Sequence, residues 1–190
     1  MSLSTTNKLI ILDRDGVINE DSDDYVKLLE EWIPIPGSIE AIAALSKAGY
    51  RVAVATNQSG IGRGLFDLDE LEKMHAKLCS LVEEKGGQVE GIFYCPHTPD
   101  DNCDCRKPKS GLIDTIETEL NVTANGCYIV GDSQRDLEAG FNKGCIPVLV
   151  KTGKGEKSLS TLSAKNPAMF SHTQIFDDLK SFTDHLLGNK

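Results

Sequence analysis

Residues 8–18 read KLIILDRDGVI, an unbroken apolar run, Leu9 to Leu12, that gives way to Asp13, Arg14, Asp15 and Gly16. The run is too short for a stable helix and suits a strand covered on both faces. Two carboxylates two residues apart where that strand ends, followed by a permissive glycine, fit a capped turn poorly. The chain repeats this arrangement. Arg51–Thr56 (RVAVAT), Val89–Tyr94 (VEGIFY), Gly126–Asp132 (GCYIVGD) and Ile146–Lys151 (IPVLVK) are predicted as further strands, each short and rich in Val, Ile or Leu.

Amphipathic stretches separate them. Ser38 is expected to cap a helix that buries Ile39, Ile42 and Leu45 and closes at Gly49. Asp67 with Glu70 resembles a capping box opening a helix that buries Leu71, Met74, Leu78 and Leu81 and stops at Gly86-Gly87. Helices are also predicted over Ser110–Leu120 and Ser133–Lys143, and over about 174–187, where Ile175, Leu179, Phe182 and Leu186 would pack; 154–165 reads as a surface loop. Alternating strand and helix implies an α/β fold, a Rossmann-like parallel sheet flanked by helices. Ligands in such sheets lie beyond the carboxyl ends of the strands, so the functional residues are sought there.

Composition bounds the reading. The 190 residues favour a single domain over 1–190, and 39% hydrophobic with 26% charged is enough for a full core. Twenty Lys and Arg against 29 Asp and Glu give a net charge of −9, which argues against nucleic acid and anionic membranes as partners. No apolar run approaches the roughly 20 residues of a membrane span, and Met1–Lys8 lacks the apolar core of a secretory signal, so a cytoplasmic chain is expected.

The strand ends carry complementary chemistry. The first offers Asp13 and Asp15; the second Thr56, Asn57, Gln58 and Ser59; the third leads to Arg106 and Lys107; the fourth ends in GDSQRD at 131–136. Phosphoryl transfer to a carboxylate needs this set. Asp13 would attack phosphorus, and Asp15 would protonate the leaving alkoxide and then deprotonate the hydrolytic water. Lys107 and Thr56 would bind the equatorial oxygens. A carboxylate repels a phosphate, so a divalent cation must screen them, and Asp13 and Asp132 supply the hard oxygens that Mg²⁺ prefers.

A second metal is implied by Cys95, His97, Cys103 and Cys105, spaced C-x-H-x₅-C-x-C. Three thiolates and an imidazole form the closed tetrahedral set of a structural Zn²⁺ site, here tying a loop of about 95–109 so that Arg106 and Lys107 face the strand ends. Cys79, Cys127 and Cys145 are scattered in apolar stretches and read as buried free thiols; His75, His172 and His185 read as ordinary surface or partly buried residues.

DRDGV at 13–17, TNQSG at 56–60, Lys107 and GDSQRD at 131–136 resemble the four motifs of the haloacid dehalogenase superfamily phosphatases, over about residues 8–153. The resemblance implies Asp13 as nucleophile, Asp15 as acid/base and Mg²⁺ held by Asp13, Asp132 and the backbone carbonyl of Asp15. It also implies a capless fold, since no insertion follows the first or third motif. The zinc loop CPHTPDDNCDCRKPKSG narrows the resemblance to two groups, heptose 1,7-bisphosphate 7-phosphatases and histidinol-phosphate phosphatases. TNQSGIGRGLF at 56–66 and VKTGKG at 150–155 are similar to the heptose group, which serves activated-heptose synthesis for lipopolysaccharide or surface glycans.

The expected partner is then a small sugar phosphate, acted on by a monomer. Arg106 is the expected ligand of a second phosphate, with Arg63 behind it. Asp21, Ser22, Asp23 and Asp24, in a segment NEDSDDY that departs from the heptose pattern, read either as acceptors of bonds from sugar hydroxyls or as a solvated acidic turn. Asn57, Gln58 and Ser59 complete the expected substrate set. The competing readings are histidinol phosphate as substrate, and a zinc-stabilised phospholigand-binding module without catalysis; the intact set of reactive residues argues against the latter.

Overall fold

The computed structural model describes residues 8–188. Its strands are β1 (Leu9–Leu12), β2 (Arg51–Asn57), β3 (Gly91–Cys95), β4 (Tyr128–Gly131), β5 (Ile146–Val150) and β6 (Gln174–Phe176). They form one sheet in the order β3-β2-β1-β4-β5-β6, parallel throughout. Between them run α1 (Ser38–Lys47), α2 (Ser59–Gly62), α3 (Leu68–Glu84), α4 (Gly111–Leu120), α5 (Gln134–Phe141), α6 (Gly155–Lys165), α7 (Pro167–Phe170) and α8 (Leu179–Leu187).

The continuous apolar runs are explained by two separate cores. Ile10, Leu12, Val52, Val54 and Val130 enter one cluster, which includes Ile42 and Leu45 of α1, Met74 and Leu78 of α3, and Phe182 of α8. Their neighbours Leu9, Ile11, Ala53, Ala55 and Ile129 point the other way, onto Ile113 and Ile116 of α4 and Ala139 of α5. Alternation along β1, β2 and β4 therefore splits the apolar residues between the two faces of the sheet. Truncating one of these aliphatic side chains to alanine costs about 2–5 kcal/mol. Among the described residues no helix is long and apolar enough to cross a membrane.

Four local expectations are corrected. Gln174–Phe176 is an edge strand, not the start of the last helix, which begins at Leu179 behind the Asp178 cap. Residues 155–165 are helix α6 and not a loop. Gly37, at φ 85°, is the N-cap of α1, while Ser38 is buried in its first turn and donates to the Ile18 carbonyl at 2.6 Å. At α3, Asp67 accepts from the Glu70 N–H, but the Glu70 carboxylate turns to Lys73 and to the Leu29 N–H, so the reciprocal half of the capping box is missing.

The cysteines are also less dispersed than expected. Cys127 and Cys145 stand just before β4 and β5, which are neighbours, and their sulfurs lie 3.4 Å apart in the interior. Cys79 is only half-buried.

Candidate active site

The carboxyl ends of β1, β2 and β4 meet the loop after β3 around a cavity of about 260 Å³. Asp13 follows β1 and is pinned by its own N–H to the Val130 carbonyl of β4, 2.9 Å away. Its Oδ1 accepts from the Arg14 N–H at 2.8 Å and from Lys107 Nζ at 2.9 Å, and no donor is assigned to Oδ2. Lys107 also bonds Asp136 at 2.7 Å and the Ala55 carbonyl at 2.7 Å. Its backbone is clamped by the Asn57 amide, which donates to the Lys107 carbonyl and accepts from the Lys107 N–H, both at 3.1 Å. Asn57 thus acts on the position of Lys107, a task that its place among the polar donors after β2 did not reveal.

Asp15 is held by a different set. Arg14, fully buried, reaches Oδ1 through Nε and Nη2 at 3.1 and 2.9 Å and Oδ2 through Nη2 at 3.0 Å. Asn19 donates to Oδ1 at 2.8 Å, and Gln58 donates to Oδ2 at 2.8 Å and to Thr56 Oγ1 at 2.9 Å. Burial alone would raise the Asp15 pKa, but the Arg14 charge and these three donors outweigh it and hold the carboxyl below its usual value. His75 lies 3.5 Å from Arg14 Nη1, where burial and the guanidinium depress its pKa to about 4.

Asp132 sits where three segments converge. Its Oδ2 accepts the Lys154 N–H at 2.8 Å, and Ser158 donates to its carbonyl at 2.8 Å. Gly16 and Gly153 leave room for it. A Cβ on Gly16 would stand 2.1 Å from Asp132 Oδ2, and one on Gly153 would stand 2.3 Å from the same atom. Both glycines have positive φ, 84° and 58°. Thr152 closes the joint by donating to the Gly16 carbonyl at 2.6 Å.

The electrostatics favour a hard cation. Asp13, Asp132 and Asp136 bring carboxylate oxygens within 4.8 Å of one another. Burial, then the Asp136 charge, push the Asp13 pKa up to about 7 against the pull of Lys107. Burial and the charges of Asp136 and Asp13 push Asp132 up to about 8. Asp136 is also desolvated, yet Lys107 and the Ser133 hydroxyl keep it below the usual range. Both Asp136 oxygens are engaged, Oδ1 by Lys107 and Oδ2 by the Ser133 N–H and hydroxyl. Asp13 and Asp132 are left with strained negative charge that a divalent cation would relieve, and oxygen is the donor that Mg²⁺ takes.

The other metal cluster fits a softer ion. Cys95 Sγ lies 3.0 Å from Cys105 Sγ and 3.6 Å from Cys103 Sγ, Cys103 and Cys105 are 3.5 Å apart, and His97 Nδ1 is 3.3 Å from Cys105 and 3.6 Å from Cys95. Tetrahedral zinc with Zn–S bonds near 2.3 Å separates its ligands by roughly 3.7 Å, so the four donors already approach that shape. All four are used, which leaves no open position for a reacting group.

Of the residues singled out in the sequence, Asp13, Asp15, Asp21, Ser22, Asp23, Thr56, Asn57, Gln58, Ser59, Arg106, Lys107 and Asp132 line the cavity. Asp24 and Arg63 do not: Asp24 is exposed, and Arg63 is exposed at the end of α2. Tyr25, Arg135, Asp136 and Lys154 line it as well and were missed. Asp136 had a signal, the second acid of GDSQRD one helical turn after Asp132. Lys154 stood within VKTGKG at 150–155, but nothing there marked its backbone N–H as the donor to Asp132 or its side chain as a partner of Asp21.

Comparison with known proteins places this geometry. The model of the haloacid dehalogenase-like hydrolase family matches residues 7–142, and a HAD-hydrolase-like model matches residues 104–182. A D-glycero-beta-D-manno-heptose-1,7-bisphosphate 7-phosphatase of Pseudomonas putida is 57% identical over 95% of this chain and 99% of its own length. The enzyme of that name from Pseudomonas aeruginosa is 58% identical over 96% and 99%. The crystal structure of the D,D-heptose 1,7-bisphosphate phosphatase of Bordetella bronchiseptica, complexed with magnesium and phosphate, superimposes with a TM-score of 0.88 at 47% identity, covering 95% of this chain and 98% of that one. With more than half of its length matched by the family model and such relatives along nearly all of it, the chain belongs to the haloacid dehalogenase-like hydrolases and is a phosphoric monoester hydrolase.

Proposed function

We propose that this chain, acting as one phosphatase unit over residues 1–190, removes the 7-phosphate of D-glycero-β-D-manno-heptose 1,7-bisphosphate through a phosphorylated Asp13. The convergence of Asp13, Asp15, Thr56, Lys107 and Asp132 on one cavity carries the chemistry. The sugar is carried over from the relatives that bear that activity in their names. Such a step belongs to the synthesis of ADP- or GDP-heptose for lipopolysaccharide core or surface glycans, with the cytoplasm as its setting.

In the first half-reaction an Asp13 carboxylate oxygen forms a bond to phosphorus as the bond to the sugar oxygen breaks. Asp15 gives that oxygen a proton. The incoming phosphate, an anion beside Asp15, raises the proton affinity that Arg14, Asn19 and Gln58 hold down in the resting site. In the second half, water attacks the acyl phosphate and Asp15 takes its proton. Lys107 and Thr56 hold the equatorial oxygens; the Lys107 ammonium is kept charged by Asp13 and Asp136, which outweigh its burial. Asp13, Asp132 and the Asp15 carbonyl would hold Mg²⁺, which supplies charge neutralisation between nucleophile and phosphate when bound. Cys95, His97, Cys103 and Cys105 would hold Zn²⁺ and keep Lys107 at the strand ends.

The test is a panel of α- and β-heptose 1,7-bisphosphate, fructose 1,6-bisphosphate and histidinol phosphate, with wild type and Asp13→Asn. The β-heptose compound should give the highest kcat/KM, and Asp13→Asn should fold normally and lose about 10³-fold or more in kcat. A preference for histidinol phosphate would replace the substrate; substantial turnover by Asp13→Asn would remove the mechanism.

A further inference from the structure

We infer that Arg135, paired with Arg106, forms the subsite for the second phosphate of a bisphosphate substrate. The inference rests on the phosphatase reading above and extends it to the far end of the substrate.

Arg106 enters the cavity from the loop after β3, and Arg135 from the first turn of α5 beyond β4. The other cations of this cavity are balanced. Lys107 is spanned by Asp13 and Asp136 at 2.9 and 2.7 Å, and Lys154 is met by Asp21 at 3.0 Å and by Asp23 at 3.9 Å. The two guanidiniums are not. Among the described residues Arg106 donates to the His97 carbonyl at 3.2 Å and meets no carboxylate within ion-pair distance, and the exposed Arg135 side chain makes no ion pair or hydrogen bond. Both line the same cavity. Two guanidiniums from separate elements, facing one cavity and without a carboxylate partner among the described residues, leave their donors to an anion that enters it. A phosphate dianion is the ligand whose oxygens match their forked donors.

The placement also says which phosphate. Successive helical residues diverge by about 100°. Asp136 turns inward to Lys107, so Arg135, one position earlier, projects from the rim, where it also borders the groove between α5 and α6. The transferred phosphate must reach Asp13, in the interior of the cavity. The rim is left for the phosphate that stays on the sugar. The sequence pointed to Arg106 and Arg63 for that task; the structure moves the second role from Arg63 to Arg135.

The experiment compares kcat/KM on a sugar bisphosphate with kcat/KM on the same sugar carrying only the scissile phosphate, using heptose 1,7-bisphosphate with heptose 7-phosphate and fructose 1,6-bisphosphate with fructose 6-phosphate. Wild type, Arg135→Gln, Arg135→Lys and Arg106→Gln are measured. The ratio should fall about tenfold or more in Arg135→Gln and in Arg106→Gln, through KM rather than kcat, with part of it restored in Arg135→Lys. An unchanged ratio in Arg135→Gln overturns the subsite while leaving the heptose reading intact. An Arg135-dependent ratio on the fructose pair, with no turnover of heptose bisphosphate, overturns the heptose reading and keeps the subsite. A wild-type enzyme that shows no preference for either bisphosphate overturns the subsite as well.

Discussion

Lys107 and Asp136 meet at 2.7 Å, each only 2% exposed, and the same ammonium reaches Asp13 at 2.9 Å. One buried cation therefore spans two carboxylates, the second of which is the proposed nucleophile. Asp136 limits how tightly Lys107 can fasten on Asp13, and its charge adds to burial in raising the Asp13 pKa.

Asp136→Ala should thus act twice. It leaves Lys107 with Asp13 alone and opens a void at the start of α5, so a loss of about 3–5 kcal/mol is expected by denaturant titration. Turnover should drop at least about tenfold with a smaller change in KM, because the nucleophile is then the ammonium's sole carboxylate partner. Wild-type kcat in a variant of reduced stability would separate the two effects and remove the second.

Magnesium should stabilise the protein in a pH-dependent way. Asp13 and Asp132 titrate near 7 and 8 in the fold, against a usual value of 3.8. These values are raised, so the metal-free protein gains stability as pH falls from about 8 towards 4 and loses it as pH rises through 7 and 8. Protons and Mg²⁺ compete for the same oxygens. The rise in Tm on adding Mg²⁺ should be large at pH 8.5 and small at pH 6. A rise independent of pH would show that these carboxylates are not the ligands.

If Cys95, His97, Cys103 and Cys105 hold zinc as proposed, chelation should lower Tm and also weaken catalysis. Arg106 and Lys107 directly follow Cys105, and the Asn57 clamp on Lys107 is the next anchor along that segment. Hydrogen exchange should rise around residues 103–109 after metal removal is verified by elemental analysis, while β1 and β4 stay protected. Unchanged melting and exchange would remove the structural role of the four ligands.

Gly153→Ala tests the seat of Asp132. Its φ of 58° and the 2.3 Å approach of a Cβ to Asp132 Oδ2 leave no room for a methyl group. A cost of roughly 1–3 kcal/mol is expected, together with weaker magnesium stabilisation, because the carboxylate must move. Gly126→Ala makes a useful control: its φ is 79° but nothing lies within 4 Å of the added atom. It should lose stability while keeping the Mg²⁺ response.

Much of the fold was legible because two-sided burial leaves an unmistakable mark: apolar runs such as LIIL and RVAVAT have no other stable home. The strand ends then named Asp13, Thr56, Lys107 and Asp132 by position. What escaped the reading did so for physical reasons. β6 is three residues long on the sheet edge, and its Ile175 is exposed, so no period forms. Helix α6 buries little beyond Leu162 and Gly155, so its sequence looks like a polar loop. Lys154 acts through an N–H that every residue but proline possesses. The meeting of Cys127 with Cys145 depends on β4 and β5 being neighbours, which strand order decides and local sequence does not.

The packing of Asp132 between Gly16 and Gly153 bears on how this protein comes into being during translation. The acid's two neighbours are separated by most of the chain, and the amide that fixes it belongs to Lys154. A ribosome that has reached Asp136 has made every side chain of the proposed chemistry but not the seat that orients Asp132. That seat is completed only when Gly153 and Lys154, beyond β5, are in place.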